Sequence, residues 1–448
     1  MGQMLEITEE ATRYAREMLQ FIDESPSPFH AVAAVRRRLE AAGFEALSER
    51  APWALRPDGR YFVERGGGSL IAFRVGGASP VSAGWRLVGA HTDSPNLRLK
   101  PRLAKHAHRH LLLDTEPYGG LLVATWADRD LSVAGRVVVR EEGGRLASRL
   151  VRSPAPICRI PNLAIHLNRA VNEEGLVLNK HQHLNPVAGA WDRGGEGPSP
   201  SEHVRAWLAG LAGCAPGDLV GHDLCLFEDL NGALSGLDGA YLQTGRLDNL
   251  ASSYQGLTAL LAQGAPAAHG RVLSLFDHEE VGSTSARGAD GTFLGDVLSR
   301  LLAAAGGAGA GEEGALVRAL QASAQVSADM AHAVHPSYAD RHDGTHQPVM
   351  NAGPVIKNNV NTRYATDGET AALFRDVCRE AGVPVQEFVN RPDLACGSTI
   401  GSITAARLGV PTVDVGCPMW AMHSAREMAG VADQVLMHRA LTRFFERP

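Results

Sequence analysis

The chain lacks any run of about 18 apolar residues, so no segment is expected to cross a membrane. It also lacks the apolar stretch behind basic residues that a secretory signal needs. Met1 to Phe21 reads instead as an amphipathic helix with charges spread through it. Six cysteines (Cys158, Cys214, Cys225, Cys378, Cys396, Cys417) include no CxxC pair, which excludes a zinc knuckle and gives no disulfide framework. Scattered thiols of this kind predict a reduced, cytoplasmic protein. No basic stripe or tail accompanies the net charge of -6, so nucleic acid is not an expected partner. No internal repeat is present.

What remains is ordinary globular composition, 44% apolar and 21% charged, over 448 residues. That length exceeds what one core usually supports, so two domains are expected. Helical periodicity covers residues 8 to 22 and 31 to 42, broken by Ser25-Pro26-Ser27-Pro28. Strands follow at Tyr61 to Glu64, Leu70 to Val75 and Arg86 to Ala90. From 101 to 230 short β-like runs dominate, including His110 to Leu113, Leu121 to Trp126, Leu131 to Arg140 and Ala164 to Leu167. Gly194 to Ser201 predicts an exposed loop, and a helix is expected over 201 to 212. Beyond 240, strands at 271–277, 325–329, 384–389 and 411–415 alternate with helices at 249–263, 293–305, 369–381, 399–408 and 431–445. Ala303 to Gly314 reads as a flexible Ala/Gly-rich connection. The pattern is an α/β domain, residues 1–100 and 231–448, split by an inserted β-rich domain, 101–230.

In an open α/β sheet, ligands bind beyond the carboxyl ends of the strands. The apolar run Val272 to Phe276 stops at Asp277-His278-Glu279-Glu280, and two adjacent carboxylates can share one pocket only if the backbone turns there. Other strand ends supply His91-Thr92-Asp93, Asp329 and His423, and Asp248 precedes a helix. Each alone suits a loop residue or a helix cap. Together, two histidines with carboxylates compose a two-metal site suited to zinc, with manganese or cobalt as substitutes. One carboxylate must then bridge the cations. Asp93 is placed to accept the second ring N–H of His91.

The motifs His91-Thr92-Asp93-Ser94-Pro95, Trp126 to Leu131, Asn162 to Leu167, Arg246-Leu247-Asp248-Asn249, Asp277 to Ser283, Ser327 to Pro336, Gly353 to Lys357 and Ala421 to Glu427 run in order along the chain. In these the sequence resembles the M18 family of metallopeptidases, the aspartyl aminopeptidases. The resemblance implies a three-layer α/β/α zinc-exopeptidase-like catalytic domain with an inserted dimerisation domain, assembled into a tetrahedral homododecamer. It implies two zinc ions per subunit, one held by His91, Asp248 and Asp329, the other by Asp248, Glu280 and His423. Glu279 would be the general base, with Asp93 as its catalytic companion. His166 would reach a neighbouring subunit's site, and His332, Lys357 and Tyr364 would contact substrate. The substrates implied are peptides with a free N-terminus, preferably Asp or Glu, whose side chain Lys357 can neutralise. Some members with similar sequences prefer apolar N-terminal residues. The chain departs from the family pattern at His278, often Asn, and Arg287, often Gln. Two other readings remain: an N-acyl amino acid deacylase with the same two-metal logic, and a catalytically silent assembly or cargo-binding protein.

Overall fold

The computed structural model describes residues 5–192, 197–305, 307 and 309–448. Met1 to Met4 of the expected first helix, and Gly194 to Glu196 of the expected loop, lie outside the described residues, as do Gly306 and Ala308.

The apolar runs of the first and last thirds pair into one nine-stranded sheet. Its order is Glu45–Leu47, Arg60–Arg65, Ser69–Arg74, Gly270–Phe276, Trp85–His91, Ala324–Ala328, Thr412–Gly416, Val355–Asn358 and Gln386–Val389. The middle four strands, Gly270–Phe276 through Thr412–Gly416, run parallel, with Phe276 opposite His91 and Ser327 opposite Gly89. Parallel strands are covered on both faces, so successive residues are both buried and mostly apolar. Leu87 and Val272 therefore pack with Phe293, Leu298 and Ile400 on one side. Val88 and Leu273 pack with Leu250, Leu257, Val435 and Leu441 on the other. The result is the three-layer α/β/α arrangement that the alternation of strands and helices predicts.

A second sheet is antiparallel and six-stranded. Its order is Leu146–Arg152, Leu131–Arg140, Leu219–Glu228, Asn96–Ala107, His110–Tyr118 and Val187–Ala190. One face is covered by the helix Pro200–Ala212 through Val204, Leu208 and Ala209. Ser199 caps this helix, its hydroxyl accepting the Glu202 amide while Glu202 accepts the Ser199 amide. A third sheet of short strands, Ala233–Ser235, Tyr241–Thr244, Glu427–Gly430, Pro418–Trp420 and Ala331–His332, was not anticipated.

Two segments expected as strands are single 3-10 turns instead, Val123–Trp126 and Ile165–Leu167. Leu122 in the first and Leu163, Ile165 and Leu167 in or next to the second stay exposed, so neither segment presents a fully packed apolar face. The connection expected over Ala303 to Gly314 is shorter at its start, because the helix Phe293–Ala305 continues through the three alanines, good helix formers. A further helix, Ala315–Gln321, follows at once. All six cysteines are unpaired. No helix among the described residues is long and apolar enough to cross a membrane.

Gly416 shows how tightly the strand ends are fitted. A Cβ there would overlap the carbonyl oxygen of Asp329 on the neighbouring strand end. Gly416→Ala is expected to cost about 3 kcal/mol, read as a lower urea midpoint, since backbone on both sides must move. An unchanged midpoint would show that the strands can part without cost.

Candidate metal centre

The carboxyl ends of the parallel strands converge on a cleft of about 660 Å3. His91 is the last residue of its strand, and its ring is buried. Asp329 directly follows the strand Ala324–Ala328. Asp248 lies at the start of the helix Leu247–Leu261, behind Arg246 in left-handed conformation, and a cis peptide bond joins it to Asn249. His423, also left-handed with φ 68°, stands in the loop between Pro418–Trp420 and Glu427–Gly430.

The backbone does turn after Phe276. His278 adopts φ 68° and a 3-10 turn, Glu279–Val281, follows, so both glutamates line the cleft. The same cleft holds His91, Asp248, Asp329, His423, His332, Lys357 and Tyr364. Asp93 is fully buried beside it, and His166 is not among its lining residues but exposed on the turn Ile165–Leu167.

Asp248 is the centre of the arrangement. Its Oδ1 lies 3.3 Å from His91 Nε2, and its Oδ2 lies 3.2 Å from His423 Nε2. Asp329 Oδ1 is 3.6 Å from His91 Nε2, and Glu280 Oε2 is 3.4 Å from His423 Nε2. Ligand atoms of His91, Asp248 and Asp329 thus lie within 4.8 Å of one another, as do those of Asp248, Glu280 and His423, and those of His91, Glu279 and Glu280. Both imidazoles are oriented from behind. His91 Nδ1 is 3.0 Å from the Asp93 carbonyl, and His423 Nδ1 is 3.0 Å from the Gly120 carbonyl, leaving each Nε2 directed at carboxylates. The carboxylate of Asp93, expected to orient His91, stands slightly farther off at 3.4 Å. Its oxygens instead accept the amides of Glu279 (3.1 Å) and Glu280 (3.2 Å) and the hydroxyl of Tyr118 (2.6 Å).

These residues fit a metal. Buried oxygens Asp248 Oδ1 and Glu280 Oε1 have no hydrogen-bond donor, a costly state unless a cation meets them. The protein's own charges say the same. Burial pushes Glu279 up to about 8, the negative charges of Asp329, Asp93 and Asp248 adding to it while His91 opposes. Burial, then Asp248, drives Glu280 up as well. Burial opposes a charged imidazole at His423, yet Asp248 and Glu427 outweigh it and hold the ring up at about 9. The cluster thus retains protons where divalent cations would relieve the same crowding.

Three residues escaped the sequence reading. Glu427 is buried and ties two site backbones together, accepting the His423 amide at 2.7 Å and the Asp248 amide at 3.2 Å. It stands in a motif already singled out, which was its only signal. Tyr118 and Gly120 had none. Lys357, by contrast, is placed in the cleft but is not free. It is buried, 3.3 Å from Asp329 Oδ2 and 3.1 Å from the Met330 carbonyl, above the Tyr364 ring. The two departures from the family pattern touch each other. Arg287 donates to His278 Nε2 at 2.9 Å and reaches Asp277 Oδ2 at 3.2 Å.

Imidazoles and crowded carboxylates at the ends of parallel strands define a metal-dependent hydrolase. Comparisons with known proteins make this specific. The family model described as "Aminopeptidase I zinc metalloprotease (M18)" matches residues 21–445. A "Probable M18 family aminopeptidase 2" from Azotobacter vinelandii is 48% identical over 98% of this chain and 99% of its own. Among solved structures, Ape4 in complex with Nbr1 superposes with a TM-score of 0.93 at 36% identity, covering 98% of this chain and 86% of that one. The S. cerevesiae mApe1 dodecamer gives 0.83 at 28% identity, covering 97% and 96%. The chain belongs to the M18 family of zinc metallopeptidases, the metallo-aminopeptidases.

Proposed function

We propose that the protein is a dinuclear zinc aminopeptidase that removes one N-terminal residue, preferably Asp or Glu, from peptides. The observation that carries this is the division of Asp248, one oxygen facing His91 and the other facing His423. It supports Asp248 as bridge, with His91 and Asp329 completing one cation site and Glu280 and His423 the other. Bound zinc supplies Lewis acidity and makes water nucleophilic near neutral pH. Glu279, within 4.8 Å of His91 and Glu280, takes the proton of the attacking water and later delivers it to the leaving amine. Asp93 contributes by holding the backbone of both glutamates.

Lys357 supports the acidic preference, because it places a buried ammonium on the cleft wall beside His332 and Tyr364. Its contact with Asp329 means the same charge also steadies a metal ligand. The reading extends to assembly. Residues 101–230 form an inserted unit through which the chain self-associates into a tetrahedral homododecamer, a reading for which the mApe1 dodecamer supports the number of subunits. His166, exposed and away from its own chain's cleft lining, is then available to a neighbour's site. Free scattered thiols support a cytoplasmic location.

Purified protein with zinc, manganese or cobalt restored is expected to hydrolyse Asp-p-nitroanilide and leave N-acetyl-Asp-p-nitroanilide intact. The reverse order would make it a deacylase. Lys357→Met is expected to lower kcat/KM for the Asp anilide by about tenfold or more while sparing Leu-p-nitroanilide, since a charge-assisted contact is worth roughly 1.5–3 kcal/mol. Equal losses on both substrates would leave Lys357 a support for Asp329 alone.

A further inference from the structure

The second sheet sends one short segment into the metal centre. Strand His110–Tyr118 ends there, and the five residues Tyr118 to Leu122 touch three of its groups. Tyr118 donates its hydroxyl to Asp93 Oδ2 at 2.6 Å, the length of a charge-assisted bond. Gly119, at φ 75°, passes so close that a Cβ would meet Glu280 Cβ at 3.1 Å. The Gly120 carbonyl accepts His423 Nδ1–H, and the Leu122 amide donates to the His423 carbonyl at 3.0 Å. The tyrosine itself is fixed from its own sheet. It pairs with Asn96, and the Arg98 guanidinium lies 3.6 Å over its ring. It is only 8% exposed, so little solvent competes for the hydroxyl.

Asp93 has three donors besides His91: this hydroxyl and the amides of Glu279 and Glu280. The two amides belong to the turn whose placement decides where both glutamate side chains point. The hydroxyl is the only one of the three that comes from outside that turn, and it is the shortest.

We propose that Tyr118 is a positioning residue: its hydroxyl locks the Asp93 carboxylate in the rotamer that anchors the Glu279–Glu280 turn, so the second sheet sets the geometry of the base and of one metal ligand. The proposal rests on the dinuclear aminopeptidase reading for its kinetic consequence, but not for its metal consequence. Removing the hydroxyl leaves Asp93 held only by the two turn amides and His91, its one anchor from the second sheet gone, while the ring, its stacking on Arg98 and the sheet remain. Partners that orient metal ligands cost about 10–100-fold in metal affinity or activity when lost. Tyr118 acts one residue farther away, so the lower end applies.

Tyr118→Phe in the full-length zinc-loaded protein is therefore expected to lower kcat on Asp-p-nitroanilide about tenfold with KM little changed. In chelator competition one zinc ion per chain is expected to bind more weakly by a similar factor, while the other holds. Asp93→Asn combined with Tyr118→Phe is expected to be no slower than Asp93→Asn alone, because the hydroxyl works only through that carboxylate. Three results overturn the proposal: parental kcat and zinc affinity in Tyr118→Phe, losses that multiply with those of Asp93→Asn, or a KM effect without a kcat effect. Tyr118→Leu, which removes the ring too, separates packing from the hydroxyl. A loss in Leu without one in Phe assigns the effect to packing and overturns the role. If the parent hydrolyses no anilide, the aminopeptidase reading fails, and zinc competition still reads the Tyr118 contact.

Discussion

Glu279→Gln is expected to keep its zinc and lose turnover by roughly a hundred- to ten-thousand-fold, the range a positioned general base supplies. The substitution conserves shape, and it leaves the backbone amide that Asp93 accepts at 3.1 Å untouched. None of the contacts of Asp248 to His91 and His423 involves this side chain. What disappears is the capacity to take a proton. The comparison needs kcat and elemental analysis on the same preparation. Turnover within tenfold of the parent, with metal retained, removes Glu279 from the role; turnover lost together with metal makes it a ligand.

Asp248→Asn is expected to do the opposite and empty the site. Both of its oxygens face imidazoles, Oδ1 toward His91 and Oδ2 toward His423. An amide nitrogen in place of either oxygen presents a donor where a cation must sit. Zinc content is expected to fall from about two per chain to below one, with activity lost. His423→Ala serves as the contrast. It removes one ligand from the Glu280 side and leaves His91, Asp248 and Asp329 in place, so about one zinc should remain. Equal metal content in His423→Ala and parent would exclude His423 as a ligand. Equal losses in the two variants would mean that the cations bind only as a pair. The parent should also lose thermal stability when stripped by chelator, because metal binds only the folded state.

Much of this was legible because buried parallel strands are mostly apolar. Val272 to Phe276 is apolar but for the small Ser274, so the switch to four polar residues at Asp277 marks a strand end without knowledge of the fold. Trp85–His91 and Ala324–Ala328 are less uniform, with Arg86, Gln325 and Ser327 inside them, yet their ends carry His91 and Asp329. The second sheet was harder to read. In Asn96–Ala107, Pro101 interrupts the pattern and the register shifts between Leu99 and Ala104. Leu146–Arg152 is half exposed and carries two arginines at its end and centre, so its alternation is weak. The third sheet has strands of two to four residues, too short for any period to show. Tyr118 and Asp93 are 25 positions apart, and their bond exists only once the second sheet is built. Sequence pattern records what a segment needs, not which distant segment will meet it.

His278 and Arg287 carry a consequence for how this site can change. Burial, then the Arg287 charge, pushes His278 down to about 4, so the neutral ring accepts from Arg287 at Nε2 and faces Ser285 Oγ at 2.8 Å through Nδ1. Arg287 in turn is the guanidinium beside Asp277, which is fully buried. Placing Gln at 287 alone would remove the first of the two guanidiniums that offset the Asp277 charge and leave only Arg98, whereas placing Asn at 278 alone would leave both where they are. Position 278 is therefore the easier of the two to change first, and position 287 the one that Asp277 constrains.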